Sequence, residues 1–393
     1  MPSLIIRMTA RDTAETHRGS TPLELLFDLT FVVAVAQVAA RLAHSIANGH
    51  ELESLGPYMM VFFAIWWAWM NFTWFGSAYD TDDVPYRALV LVQMVGVLII
   101  AAGVTSSFSS HDFTAVIIGY AVMRVGLVSL WVRAGLQHPQ GRATAFRYAA
   151  GISLVQVLWL GSLALPEQGP WWLFPLIAVV DLSVPLWAER AGTTAWHPHH
   201  IAERYGLFTI IVLGESVLAA TTGVQRALDG GGLSAELVAI SITGLVLLFM
   251  LWWLYFSQPA GEGLSGHRER SFIWGYGHFG IFASLAALGA GLEVAVESAG
   301  HHLDVSVTMI VIAIAIPVAL FLVLLQAIHA PLVNRLVISP IATCVAAALV
   351  LLSPVAADAL ELVGALIAIT LVVTALLSHT LWASHRTDRR HRI

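Results

Sequence analysis

Few side chains in this 393-residue sequence can do chemistry, and several of those lie where charge is expensive. The run from His197 to Glu215 opens as a polar, His-rich turn and becomes almost wholly apolar before it reaches the Glu215 carboxylate. A carboxylate inside such a helix costs about 2.5–3.5 kcal/mol on insertion scales, so it is expected to face the protein interior and to serve a function. At a rise of about 1.5 Å per residue, Asp181 and Arg124 fall at a similar middle depth, and Arg124 is expected to pair with Asp181 or Glu215. Asp28 lies one turn inside Glu24 on the same helical face. His278 falls in the inner half of the ninth apolar segment, where a bond to a backbone carbonyl is an equal expectation. Asp28, Arg124, Asp181, Glu215 and His278 form the expected proton, ion or substrate pathway, with Glu215 as its central titrating group. Gly214 is expected to admit a neighbouring backbone beside it.

Other candidates have simpler readings. Glu24 and Glu203 each start a helix, where a carboxylate suits the N-terminal dipole. His199, His200 and Glu203 have i, i+3 and i, i+4 spacings that a metal ion can use. However, Pro198 breaks the helix before them and no second cluster completes a site, so a His-rich helix entry is the expectation, with no metal and no cofactor. Asp80, Asp82 and Asp83 form an acidic turn expected to be solvated. Cys344, the single cysteine, excludes an intramolecular disulfide and is expected to be a buried thiol. The sequence carries no phosphate-binding glycine loop, nucleophile elbow or HExxH motif. Its arginines are dispersed rather than striped, which speaks against nucleic acid.

The elements that must hold these residues are helices in a membrane. The composition is 58% hydrophobic and 11% charged, with a mean hydropathy of +0.78; soluble domains carry about 25% charged residues. Twelve apolar segments are expected as helices, near 22–43, 57–76, 86–105, 114–133, 144–165, 171–188, 202–222, 234–256, 271–295, 305–327, 335–353 and 357–383. No cleavable apolar leader is expected before residue 22. The basic residues are all Arg or His. With the N-terminus inside, sixteen arginines fall on the inner side (7, 11, 18, 87, 133, 142, 147, 190, 204, 268, 270, 335, 386, 389, 390 and 392) and two, Arg41 and Arg226, on the outer. That bias favours an even number of crossings with both termini cytoplasmic. Trp66, Trp67, Trp69, Trp74, Trp171, Trp172, Trp252 and Trp253 are placed at headgroup level or as packing aromatics.

The sequence also reads as doubled. Aligning Glu24 with Glu203 pairs Thr30 with Thr209, Val33 with Val212 and Val38 with Val217. Later helices pair Trp66–Trp67 with Trp252–Trp253, and Gln93 with His278. Six helices separate the copies, so the repeat is parallel. Asp28 then stands opposite Leu207, and Glu215 opposite Ala36. The expected layout is a segment 1–21, a first six-helix half 22–188, a second half 189–383 and an Arg-rich tail 384–393.

The stretches Thr21–Val32, Tyr79–Asp83 and His200–Glu215 resemble the bacterial low-temperature-requirement A (LtrA) family in both halves and in order. One departure is Leu26, where the family often has an aromatic. The resemblance implies a polytopic bacterial membrane protein linked to growth in the cold. It marks Glu24, Asp28, Asp82, Asp83, Arg87, Glu203, Arg204 and Glu215 as motif positions without roles. The expected function is transport of a small solute or ion, with proton coupling as one form of it, in the bacterial inner membrane. The alternatives are a membrane enzyme acting on lipid or prenyl chains, and a non-catalytic sensor or assembly protein. The lipid bilayer is the expected partner.

Overall fold

A computed structural model describes the chain except residues 1–3, 14, 16–17, 167–168, 171, 231–233, 301–302, 334–335 and 392–393. Trp171, Arg335 and Arg392 therefore lie outside the described residues, as do the side chains of Arg226, Arg389 and Arg390. Among the described residues the fold is helical without strands. Its helices are α1 (Pro22–Ala47), α2 (Glu51–Tyr79), α3 (Val84–Ser109), α4 (Thr114–Gln137), α5 (Arg142–Ser162), α6 (Leu173–Ala188) and α7 (Pro198–Gly230). They continue with α8 (Ala235–Phe256), the short α9 (Ala260–Gly266), α10 (Ser271–Ser298), α11 (Val307–His329), α12 (Pro340–Leu352) and α13 (Ala357–His391).

Each of the twelve expected segments overlaps a helix; α9 was not expected. Eight helical stretches among the described residues are long and apolar enough to cross a membrane, with α12 and α13 counted as one. The fold is that of an all-α, multi-pass membrane protein. α2 falls outside those eight, and its packing says why. Every residue from Val61 to Met70 is at most 8% exposed, and a helix buried all round needs no lipid-facing surface. Its rings touch Phe27 of α1 through Phe72, Phe174 of α6 through Phe63, and Trp131 of α4 through Phe75. Trp66, Trp67 and Trp69 are thus core residues rather than headgroup anchors. Trp252 and Trp253 of α8 are exposed, as such anchors would be.

The chain forms two compact units: residues 1–38 with 56–204, and residues 39–55 with 205–393. In the first unit α3 packs on α4 without room for side chains, because a Cβ on Gly96 would stand 2.5 Å from the Gly119 carbonyl oxygen and one on Gly119 2.6 Å from that of Gly96. In the second unit a Cβ on Gly291 of α10 would stand 2.7 Å from the Ala313 oxygen of α11. Small residues at such crossings let apolar helices approach closely. Cys344 on α12 is exposed, contrary to the buried thiol expected of it.

Candidate functional site

The first unit holds a buried ion cluster built by three helices. At the start of α1, Thr21 and Glu24 form a capping box: Glu24 N donates to Thr21 Oγ1 (3.2 Å) and Thr21 N donates to Glu24 Oε2 (2.9 Å). Pro22 occupies the first helical position, where its missing N–H costs nothing. The box fixes Glu24, and one turn on along the same face comes Asp28. α7 begins similarly. His197 Nδ1 accepts from His200 N (3.3 Å), Pro198 follows as the first helical residue, and His197 Nε2 donates to Glu15 O (2.9 Å). Pro198 therefore opens α7 and places His199 and His200 in its first turn, four residues before the expected start.

From that turn two side chains reach the α1 carboxylates. Arg204 Nε and Nη2 donate to the two oxygens of Asp28 (3.1 and 2.5 Å), and its Nη1 lies 3.0 Å from Glu24 Oε1 in an ion contact without hydrogen-bond alignment. His200 Nε2 lies 3.3 Å from Glu24 Oε2. From α2, Trp69 Nε1 donates to Asp28 Oδ1 (2.7 Å). All of these side chains are 1% exposed or less. Arg204, counted above with the inner arginines, is a wholly buried partner of two carboxylates. Glu203 points the other way: it is exposed and accepts from Ser20 N (3.2 Å). His199 is also exposed while His200 is buried. The two spacings thus do not gather His199, His200 and Glu203, and among the described residues no three His, Cys, Asp or Glu side chains are grouped for a metal.

The acidic turn is not solvated as expected. Asp83 caps α3 by accepting from Tyr86 N (3.0 Å), and it also takes Arg133 at both oxygens (2.8 and 2.5 Å) and Ile6 N (2.8 Å). Burial pushes its carboxyl up, but the Arg133 pair and the two backbone N–H groups prevail and hold it down at about 2. Asp80 is nearly enclosed, with Arg11 Nη1 at 3.5 Å. Burial first, then the charge of Glu24, lifts its carboxyl to about 6. Asp82 alone is substantially open; it takes the Arg87 fork at 2.8 Å on each oxygen.

Arg124 pairs with Asp181. Its Nη2 donates to both carboxylate oxygens (2.9 and 2.8 Å) and to Tyr120 Oη, and Tyr120 and Trp159 donate to Asp181 Oδ2 (3.1 and 3.4 Å). In the second unit, His278 Nδ1 donates to Trp274 O (2.7 Å), which leaves Nε2 to accept from Tyr255 Oη (3.1 Å). His329 repeats the arrangement, with Nδ1 on Leu325 O (3.0 Å) and Nε2 accepting from Trp274 Nε1 (3.3 Å). Each imidazole is thus held by hydrogen bonds at both ring nitrogens. Glu215 is half-buried, with no hydrogen bond or ion pair among the described residues, and Gly214 beside it faces open space rather than a neighbouring backbone. The second unit has an apolar cavity of about 130 Å³ between α7, α8 and α10, lined by Val217, Ile240, Leu248 and Leu292 among others, and Glu215 is not in its lining.

The structure therefore brings Asp28 together with Glu24, His200 and Arg204, and Asp181 with Arg124. Sequence reasoning missed Trp69, Tyr86 and Asp80 as neighbours of the first cluster and His329 as a neighbour of His278. The signal for Arg204 was present: an arginine one residue past Glu203, at the head of an apolar helix, in a chain where Glu24 and Asp28 share a face.

Residues 19–378 match the family described as bacterial low temperature requirement A protein (LtrA). The chain is also similar to an uncharacterized protein of Rhizobium meliloti (strain 1021), 25% identical over 299 residues that cover 72% of this chain and 70% of that one.

Proposed function

The chain belongs to the bacterial low temperature requirement A (LtrA) family, and on that premise we propose that it moves a small solute or ion across the inner membrane in exchange for, or together with, protons. The observation that carries this reading is a charge count. Glu24 and Asp28 bring two negative charges to a site less than 2% exposed, and Arg204 brings one positive charge. Arg18 is a further buried cation whose charge acts on Glu24. Counted against Asp80, on which it also acts, it leaves one surplus negative charge on the Glu24–Asp28 pair. An unbalanced buried charge is costly enough to favour taking up a proton. With His200 neutral, one proton shared by the two carboxylates balances the site. When carboxylates interact this closely, the proton belongs to the pair rather than to either residue. A site that gains and loses one proton inside a membrane is the element proton coupling requires.

In this reading the protein crosses the membrane twelve times with both ends cytoplasmic, and its halves 22–188 and 189–383 derive from one ancestor. Glu24, Asp28, Arg204 and His200 take the central role given above to Glu215. Glu215 remains a second carboxylate of the pathway, while Arg124–Asp181 and His278 hold helices together. The experiment is electrical. Purified protein in proteoliposomes is exposed to jumps of small ions, amino acids, sugars and polyamines at several pH values. A pH-dependent charge displacement is expected for one of these classes, lost in Asp28→Asn and in Arg204→Met proteins that remain folded. Silence across all classes, with cold growth unaltered by the same variants, would sink the transport reading in favour of a non-catalytic scaffold.

A further inference from the structure

We propose that a notch beside Gly76 is a hydration site linking the Glu24–Asp28 pair to Asp80, and that protons reach the pair through Asp80. The inference rests on the proton-linked reading above and specifies its entry route.

The notch follows from three atoms. A Cβ on Gly76 would meet Glu24 Oε1 at 3.1 Å and the Tyr86 hydroxyl at 3.5 Å, so the bare α2 backbone is what gives these polar atoms their room. Neither atom has a hydrogen-bond partner among the described residues, although both side chains are 1% exposed. Arg204 Nη1, 3.0 Å from Glu24 Oε1, also lacks an aligned acceptor. An unsatisfied buried polar group costs about 1–3 kcal/mol, and the usual remedy is an ordered water with two to four polar partners. Here a carboxylate accepts, a guanidinium N–H donates and a phenol does either. Glu24 is suited to connect this water inward, since Oε1 faces the notch while Oε2 faces His200 and Thr21 N.

Asp80, four residues past Gly76, is near enough to Glu24 and Tyr86 to exchange electrostatic influence with both. It follows α2 directly, lies outside the membrane-spanning stretches, and its side chain is 5% exposed. The charged and titratable groups around it are Arg11 and Arg18 of the N-terminal segment, Glu24 of α1, Asp82 of its own turn, and Tyr86 and Arg87 of α3. Arg18 is fixed there by donating to Gly76 O and Ser77 O at the end of α2. Held up at about 6, the Asp80 carboxyl changes protonation close to neutral pH. In the transfer, the proton leaves an Asp80 oxygen for water, and the notch water passes one to the Glu24–Asp28 pair. Asp80 is left as a carboxylate facing Arg11 and Arg18. The pair falls from two negative charges to one, which matches Arg204. Tyr86 orients the water and stays neutral, and no other reactant is needed.

The test is time-resolved infrared spectroscopy of the full chain in liposomes after a downward pH step, which needs no transported solute. Two protonated-carboxyl bands are expected, one absent in Asp80→Asn and the other absent in Asp28→Asn. The second band should appear about a hundredfold more slowly in Asp80→Asn, the scale of a lost positioned proton donor. Gly76→Ala and the near-isosteric Tyr86→Phe should slow it as well while leaving the Asp80 band in place. If the second band forms at the wild-type rate in all three variants, the entry route is overturned and the proton-linked reading stands. If no second band forms in the wild type, both are overturned.

Discussion

A guanidinium shared by two carboxylates is chemically unlike one with a single partner, and this chain contains both. Arg124 and Asp181 balance each other, so their pair has no surplus to exchange. Breaking such a buried pair costs about 3–5 kcal/mol, whereas replacing both members with apolar groups of similar size is often neutral or stabilising. Asp181→Asn is therefore expected to lower the melting temperature strongly, and Arg124→Met with Asp181→Leu to restore it, both read by thermal unfolding in detergent. Arg204 lies between Glu24 and Asp28, and there Asp28→Asn removes the surplus rather than creating one. That variant is expected to fold with near-normal stability and to lose pH-dependent behaviour. Residue type alone could not separate these cases. Depth along a helix was readable for Asp181, Arg124 and Asp28, but which helix faces which was not. Glu215, conspicuous in the sequence, is half-buried with no hydrogen bond or ion pair among the described residues, whereas Glu24 and Asp28 are enclosed around Arg204.

At the scale of helices, ends were legible wherever local chemistry sets them. The Thr21-Pro22-Leu23-Glu24 capping box begins α1 at Pro22, and Asp83 begins α3. α7 was read four residues short because its cap is a histidine, whose ring nitrogen does the work more often done by Ser, Thr or Asp. Asp83 also ties the N-terminal segment to α3 and α4 through Ile6 and Arg133. Asp83→Ala is expected to cost about 3 kcal/mol, as for other broken buried pairs. Because the folded protein holds Asp83 below its ordinary value, that contribution is complete above about pH 4 and fades as the pH falls through about 2. Acid unfolding curves of wild type and Asp83→Ala should therefore converge at the acid end. The α3–α4 crossing supplies a further check. Gly96→Ala places a Cβ 2.5 Å from backbone oxygen, and overpacking of this kind costs about 1–3 kcal/mol.

For the molecule as a whole, the apolar runs made the membrane fold readable, and the Trp-rich interior of α2 shows where that reading loses resolution. A helix surrounded by protein carries Asn71, Thr73 and four tryptophans, and it is not among the stretches that are long and apolar enough to cross a membrane. Tight small-residue crossings join α3 to α4 and α10 to α11, positions that the proposed doubling would align. Burial does not follow the alignment, since α2 is central in its unit whereas α8, its aligned counterpart, exposes Trp252 and Trp253. The twelve crossings proposed above would place both ends on one side. Leu4 and Ser384 are both exposed, so Leu4→Cys and Ser384→Cys, each in a Cys344→Ser background, should be blocked by an impermeant reagent from the cytoplasmic side alone. The surplus charge of the Glu24–Asp28–Arg204 cluster requires an exchangeable proton, and counting protons measures that directly. Potentiometric titration of the solubilised protein from mildly alkaline to mildly acidic pH should show wild type binding one proton more per chain than Asp28→Asn. Equal uptake by the two proteins would mean that the Glu24–Asp28–Arg204 cluster holds no exchangeable proton, and the proposed coupling would be wrong.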